Sequence, residues 1–170
     1  MKRKQCFTLV EILAVVAITG ILITGTAVGV NALWQNSRVD ICESEMRDFA
    51  NSFKSYLTDY NSIEIAPDSN YENVVSEIIE LLNSKYLSCD VELSEIAADK
   101  KSFCLNTKIK QDPWGGNYKF YIYTYSGEDS ESLPGLVIIS SQGKDSKSNA
   151  SEYKNGDYGD DIVTVIKPNM

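Results

Sequence analysis

Few side chains in this chain could do chemistry on their own. Its 170 residues include no histidine, which removes the commonest general base and the commonest metal ligand. The four cysteines are Cys6, Cys42, Cys89 and Cys104. No two lie within three residues of each other, so the close spacing of a zinc ribbon or a dithiol redox motif is missing. Cys89 and Cys104 bracket a short polar segment, and two outcomes are open for them: a disulfide if this part of the chain is extracellular, or two free thiols. No nucleophile elbow, phosphate loop or HExxH-like pair occurs. Acids abound, yet no two are set apart as a carboxylate pair for glycoside hydrolysis. One titratable group does stand out. Glu11 sits inside an apolar run behind Lys2-Arg3-Lys4, where an ionised carboxylate costs ~2.5–3.5 kcal/mol by insertion scales. A charge kept there wants a partner.

The elements that must position Glu11 follow from hydropathy and charge. Phe7 to Leu33 is a hydrophobic stretch, and from Ile12 to Ser37 there is no charged residue at all. The run is longer than the core of a signal peptide, and its basic end is expected to stay in the cytoplasm with the C-terminal mass outside. Without the three cations of the leader the net charge falls from −8 to −11. That balance argues against nucleic acid, which needs a basic stripe. The helical pattern continues beyond Leu33: Cys42, Met46, Phe49, Phe53, Tyr56 and Tyr60 recur at steps of four and three. With no proline before Pro67, one helix is expected from Phe7 to about Tyr60, some ~80 Å at ~1.5 Å per residue. The alternative is two helices meeting near Asn31–Asn36. Gly25 and Gly29 form a small-xxx-small pair suited to close helix packing.

The remainder reads as a small α+β head. Asn61 to Asn70 is a polar loop, and Ser69 or Asn70 is placed to cap a helix over about Tyr71–Tyr86 with Val74, Val75, Ile78, Leu81 and Leu82 on its buried face. Cys89–Lys101 reads as an acidic loop. Three strands follow, at Tyr118–Tyr125, Leu136–Ser140 and Ile162–Ile166. The expected fold is therefore a long N-terminal helix, transmembrane and then amphipathic, packed on a three-stranded antiparallel sheet. Its divisions are a leader over 1–6, a hydrophobic helix over 7–33, an amphipathic continuation over 34–60 and a head over 61–170.

Gln5-Cys6-Phe7-Thr8-Leu9-Val10-Glu11-Ile12-Leu13 resembles the class III signal of type IV prepilins and type II secretion pseudopilins. The resemblance implies cleavage between Cys6 and Phe7 by a prepilin peptidase and N-methylation of Phe7. It also implies that Glu11, at the fifth mature position, neutralises the Phe7 amine of a neighbouring subunit inside an apolar filament core. The family usually carries Gly before the cut, where this chain has Cys6. A second likeness lies in Asp112-Pro113-Trp114-Gly115, similar to the turn that precedes the sheet in major pseudopilins. A third lies in Ser141-Gln142-Gly143-Lys144-Asp145 and the later Asp160-Asp161-Ile162, which resemble the family's calcium loop. By that resemblance Asp145, Asp160 and Asp161 are the candidate calcium ligands, with carbonyls or waters completing the 6–8 oxygens that calcium takes. The loop lacks the family's Gly after Asp145, and a solvated acidic loop that binds nothing is the other reading of the same residues.

The resemblance implies a structural subunit rather than an enzyme, a major pilin, a minor pilin or a pseudopilin of a type IV pilus-like extracellular filament, and Cys6 with the modest head favours a minor pilin or a pseudopilin among them. Its expected partners are other pilin subunits, the prepilin peptidase, and the cytoplasmic membrane with its assembly platform. Its expected location is a single-pass membrane precursor and then the filament. The rival reading is a surface binding domain or hydrolase on an ordinary uncleaved anchor.

Overall fold

The computed structural model describes residues 8–60, 63, 65, 70–98, 100–124, 135–145, 147 and 161–167, the side chains of 25–29 excepted. Cys6, Phe7 and Asp160 lie outside them. The chain divides into two compact units, Met1–Arg38 and Val39–Met170. The amphipathic part of the first helix thus belongs with the head.

Helix α1 spans Leu9–Tyr60 as one element. In the first unit its apolar side chains find no cover: Leu9, Val10, Leu13, Val16, Ile21, Leu22, Ile23, Leu33 and Trp34 are all exposed. The helix satisfies its own polar groups there. Thr19 and Thr24 donate their hydroxyls to the carbonyls of Val15 (2.8 Å) and Gly20 (3.1 Å) one turn back, the usual way a hydroxyl is accommodated where water is absent. Among the described residues no helix is long and apolar enough to cross a membrane.

The second unit is built around the other half of α1. Cys42, Met46, Phe49, Ala50, Phe53 and Tyr56 are buried, and their spacing of four and three residues puts them on one face. That face meets a sheet of five strands, β1 (Val91–Ile96), β2 (Ser102–Gln111), β3 (Asn117–Tyr123), β4 (Val137–Ser141) and β5 (Ile162–Ile166). Each pairs antiparallel with the next in sequence order. Alternation along the strands sends Phe103, Leu105, Tyr118, Phe120, Ile122, Val137 and Ile139 into the main core. Phe49 sits edge-on to both Tyr118 and Phe120, at 5.2 Å between ring centroids in each case. A smaller cluster of Leu136 and Ile138, with Tyr121, Tyr123 and Val163, lies on the opposite side of the sheet. Helix α2 (Tyr71–Leu81) closes the core with Tyr71, Val75 and Ile78. Asn70 is its N-cap residue but makes no side-chain cap hydrogen bond. The helix ends in a π turn, Leu82–Tyr86, where the Leu87 amide donates to the Leu82 carbonyl at 2.8 Å. From this turn Lys85 and Tyr86 both reach the Asp59 carboxylate near the end of α1.

The α+β class agrees with the sequence reading, but the sheet has five strands rather than three. Val91–Ile96, read as acidic loop, is an edge strand that buries only Val91 fully, so it carries little apolar signal. Ser102–Gln111 does alternate, with Phe103, Leu105 and Thr107 buried. It is strand β2, missing from the expected set.

The disulfide between Cys89 and Cys104 is not formed, since both are free thiols. Strand register explains why. The Lys108 amide donates to the Asp90 carbonyl and Val91 lies opposite Thr107, which puts Cys89 level with Ile109, five positions along β2 from Cys104. At ~3.3 Å per residue the two are ~15 Å apart, whereas bridged cysteines keep their Cα atoms within about 4.4–6.8 Å. Cys89 also packs on the main core, while Cys104 alternates with Phe103 and Leu105 toward the other face. Burial pushes the Cys104 thiol up to about 11, so it is protonated and inert at neutral pH. Alkylation in denaturant without reductant is expected to label both Cys89 and Cys104 in intact-mass and peptide maps. Under native conditions Cys104 should label more slowly than Cys89. Resistance of the pair to labelling until a reductant is added would contradict this register.

Candidate functional site

Glu11 lies in the first turn of α1 and makes a reciprocal bond with Thr8. The Glu11 amide donates to Thr8 Oγ1 at 3.3 Å, and the Thr8 amide donates to Glu11 Oε2 at 3.4 Å. This is a capping box, in which two amides left without helical partners at a helix start satisfy each other's side chains. The Thr-x-x-Glu spacing was present in the sequence and was not used there. A carboxylate in the first turn also faces the positive end of the helix dipole. Thus Glu11 has an intrachain role, while its side-chain surroundings, from Leu9 to Val16, are exposed and apolar. Cys6 and Phe7 lie outside the described residues.

The head holds a second arrangement, at the end of the sheet where the other two family-like motifs lie. Asp112 opens the Asp-Pro-Trp-Gly turn, and its Oδ1 accepts the amides of Trp114 (3.0 Å) and Gly116 (2.8 Å). Its Oδ2 accepts the hydroxyl of Ser141 at 2.6 Å. Ser141 is also the first residue of the Ser-Gln-Gly-Lys-Asp turn, and its Oγ receives the Gly143 amide at 3.3 Å. The two motifs are therefore bonded to each other. Gly115 and Gly143 both take positive φ, 92° and 61°, which L side chains disfavour. Gly116 is needed for a different reason, because a Cβ there would stand 3.1 Å from Asp112 Oδ2.

This cluster continues to α1. The Tyr118 hydroxyl donates to Glu45 Oε2, Lys110 Nζ pairs with Glu45 Oε1 at 3.3 Å, and Lys110 also lies over the Phe49 ring. Cys42 sits between Ser141 and Tyr118, and burial raises its thiol above the ordinary range. No sequence pattern marked Glu45 or Cys42 as parts of such a network. The arrangement contains no histidine, Ser141 bonds the Asp112 carboxylate, the Gly143 amide and the Cys42 thiol, and Ser141 is wholly buried. It can tie helix to sheet; it offers no accessible nucleophile–base pair.

Of the three candidate calcium ligands, Asp145 is exposed and its Oδ1 accepts the Lys147 amide at 2.8 Å. Asp161 is 8% exposed. It directly precedes β5, whose first residue Ile162 lies opposite Ser141, so both ends of the loop start from the same end of the sheet. Asp160 lies outside the described residues. Among the described residues no group of three or more acidic or cysteine side chains could hold a metal ion; two carboxylates alone do not make a calcium shell.

Residues 1–27 match the family model of the prokaryotic N-terminal methylation motif. The chain thus carries the class III N-terminal signal of type IV pilins and pseudopilins. No curated protein and no solved structure matches the chain.

Removal of the Tyr118 hydroxyl tests the network. Burial first, and then the bond to Glu45, hold the phenol well above its ordinary range. The folded chain keeps this proton at pH values where the unfolded chain releases it. The associated stability is therefore complete below the ordinary phenol value of about 10 and falls as pH rises past it. Tyr118→Phe should cost about 1–3 kcal/mol in denaturant unfolding at neutral pH, and the gap from the parent chain should narrow above pH ~10. A gap that is absent at neutral pH, or that does not change with pH, would contradict the assignment.

Proposed function

We propose that this chain is a structural subunit of a type IV pilus-like extracellular filament, a minor pilin or a pseudopilin, and not an enzyme. In this reading a prepilin peptidase cuts between Cys6 and Phe7, and Phe7 is then N-methylated. Before assembly α1 is held in the cytoplasmic membrane with the head outside; afterwards it is buried among the helices of other subunits. The observation that carries the reading is the methylation motif at residues 1–27 on a helix whose apolar side chains the chain does not cover itself. Magnitudes support it. Burying a leucine or isoleucine side chain is worth about 1.5–3 kcal/mol, so several of those exposed along α1 outweigh the cost of taking Glu11 out of water.

Glu11 then has two partners in turn. Alone, it bonds the Thr8 amide of its own helix. In the filament, the free amine of a neighbour's Phe7 is a better partner, because a cation and a carboxylate both out of water neutralise each other. Glu11→Ala should insert and be processed like the parent, since an uncharged side chain inserts more readily. It should be at least tenfold depleted from sheared filaments, as roughly one decade per 1.4 kcal/mol is lost when a buried amine has no counter-charge. Incorporation of Glu11→Ala at the parent level would remove the proposed role.

Calcium binding by Asp145, Asp160 and Asp161 is a separate part of the proposal. It is supported by the β4–β5 register, which starts both loop ends at one place, and by the Ser141–Asp112 bond that fixes the first of them. Calcium would supply the positive charge that allows three carboxylates to converge. Only the folded head would bind it, so the full chain in detergent should be stabilised by ~2.7 kcal/mol at free calcium one hundredfold above the dissociation constant. Asp161→Ala should abolish the rise in melting temperature, whereas Glu128→Ala, in the separate acidic stretch between Tyr125 and Gly135, should not. Identical melting in calcium and in chelator at matched ionic strength would leave the loop as a solvated acidic surface.

A further inference from the structure

Among the described residues of the second unit, the most exposed large apolar side chain is Ile109, at 83%. It is held out by a built feature. The pairing of β2 with β3 breaks between Asn106 and Gln111, and the extra residues form a bulge. Inside it the Thr107 hydroxyl accepts the Tyr118 amide at 3.1 Å and donates to the Lys110 carbonyl. A buried side chain here stands in for the backbone ladder. Lys110 is tied down to Glu45 and Phe49. Both ends of the bulge are thus fixed, and Lys108 and Ile109 project between them. Bulges commonly re-aim a side chain in this way. An isoleucine kept in water on a rigid mount gains nothing for the isolated fold.

One groove on the same unit has the complementary character. It lies along α2 and the π turn, measures about 490 Å³, and is lined by Ser76, Ile79, Glu80, Asn83 and Ser84. Its wall at Asn83 is rigid, because that amide donates to the Val91 carbonyl at 3.0 Å and accepts the Val91 amide at 2.8 Å. The same two bonds occupy the outward backbone groups at the start of β1, so that part of the edge is closed to an added strand. The groove therefore suits a projecting side chain better than an extended peptide. Ile79 offers an apolar wall and Glu80 a charge. Neither Glu80 nor Lys108 has an ion-pair partner among the described residues.

We propose that Ile109 of one copy of this chain docks into the α2 groove of a second copy, with Lys108 against Glu80. The apolar knob is flanked by positive charge and the groove carries negative charge, so a second copy supplies both the shape and the sign that each surface lacks. Knob and groove are different surfaces, so the contact is head-to-tail in kind and repeats from copy to copy without needing a two-fold axis. The proposal goes beyond the filament reading, since heads can meet this way in any assembly that crowds copies together.

A photo-activatable phenylalanine in place of Ile109, in the full chain, tests it. Equal amounts of ¹⁴N- and ¹⁵N-labelled protein are reconstituted at high density in vesicles, irradiated and mapped by mass spectrometry. The expected product joins position 109 of one isotope to residues 76–84 of the other. Glu80→Lys should lower its yield about threefold, the size of effect a surface pair supports, and Lys108→Glu in the same chain should restore it. Cross-links confined to one isotope, to other surfaces or to another protein, or no cross-link at all, would overturn the proposal. A chain that forms filaments without this product sinks the contact and leaves the filament reading intact. The product formed by Glu11→Ala chains that do not polymerise would sustain the contact alone.

Discussion

The first half of α1 presents apolar side chains that no described residue covers, and that exposed surface is the constraint on which the account of this chain depends. In the second half the same helix turns Met46, Phe49 and Phe53 onto a sheet. In the first half comparable side chains stand in the open. At about 1.5–3 kcal/mol for each large aliphatic side chain transferred out of water, a membrane or a bundle of like helices is a strongly favoured environment. The helix prepares for it by satisfying its own polar groups, through the back-bonded Thr19 and Thr24 and through the capping box at its start. Among the described residues Glu11 bonds Thr8, which satisfies hydrogen-bonding groups and brings no cation.

The polar cluster at the end of the sheet ties the second half of α1 to the strands. Glu45 joins helix to sheet through Tyr118 and Lys110, and Asp112 joins the turn before β3 to Ser141 at the end of β4. Two turns far apart in sequence are thereby locked to one another and stand beside the helix position occupied by Cys42. Such bonds add directional restraint where apolar contacts such as Phe49 on Phe120 fix separation but not register.

Much of this was legible in the residues. The apolar run follows from hydropathy, the stripe from Cys42 to Tyr56 from the helical spacing of its buried face, and the strand at Ile162–Ile166 from its β-branched residues. The N-terminal signal was legible because few other contexts set a glutamate inside so apolar a run. Strand β1 was not, because an edge strand with one fully buried side chain leaves almost no pattern. The fate of Cys89 and Cys104 depended on register, which spacing along the chain does not encode. Glu45 and Tyr118 are 73 residues apart, and nothing local in either segment points to the other. The Thr8–Glu11 box shows the reverse case, a local signature hidden by attention to the charge alone.

The proposed filament role requires that the chain be cut to expose an amine beside Glu11 and then be polymerised through α1. The most direct measurement is the intact mass and N-terminal sequence of the chain recovered from sheared filaments of cells that express it with a prepilin peptidase. The account requires a chain that begins at Phe7 and carries one added methyl group. A recovered chain that retains Met1–Cys6, or one cut beyond the apolar run after Ala27 or Ala32, would contradict it.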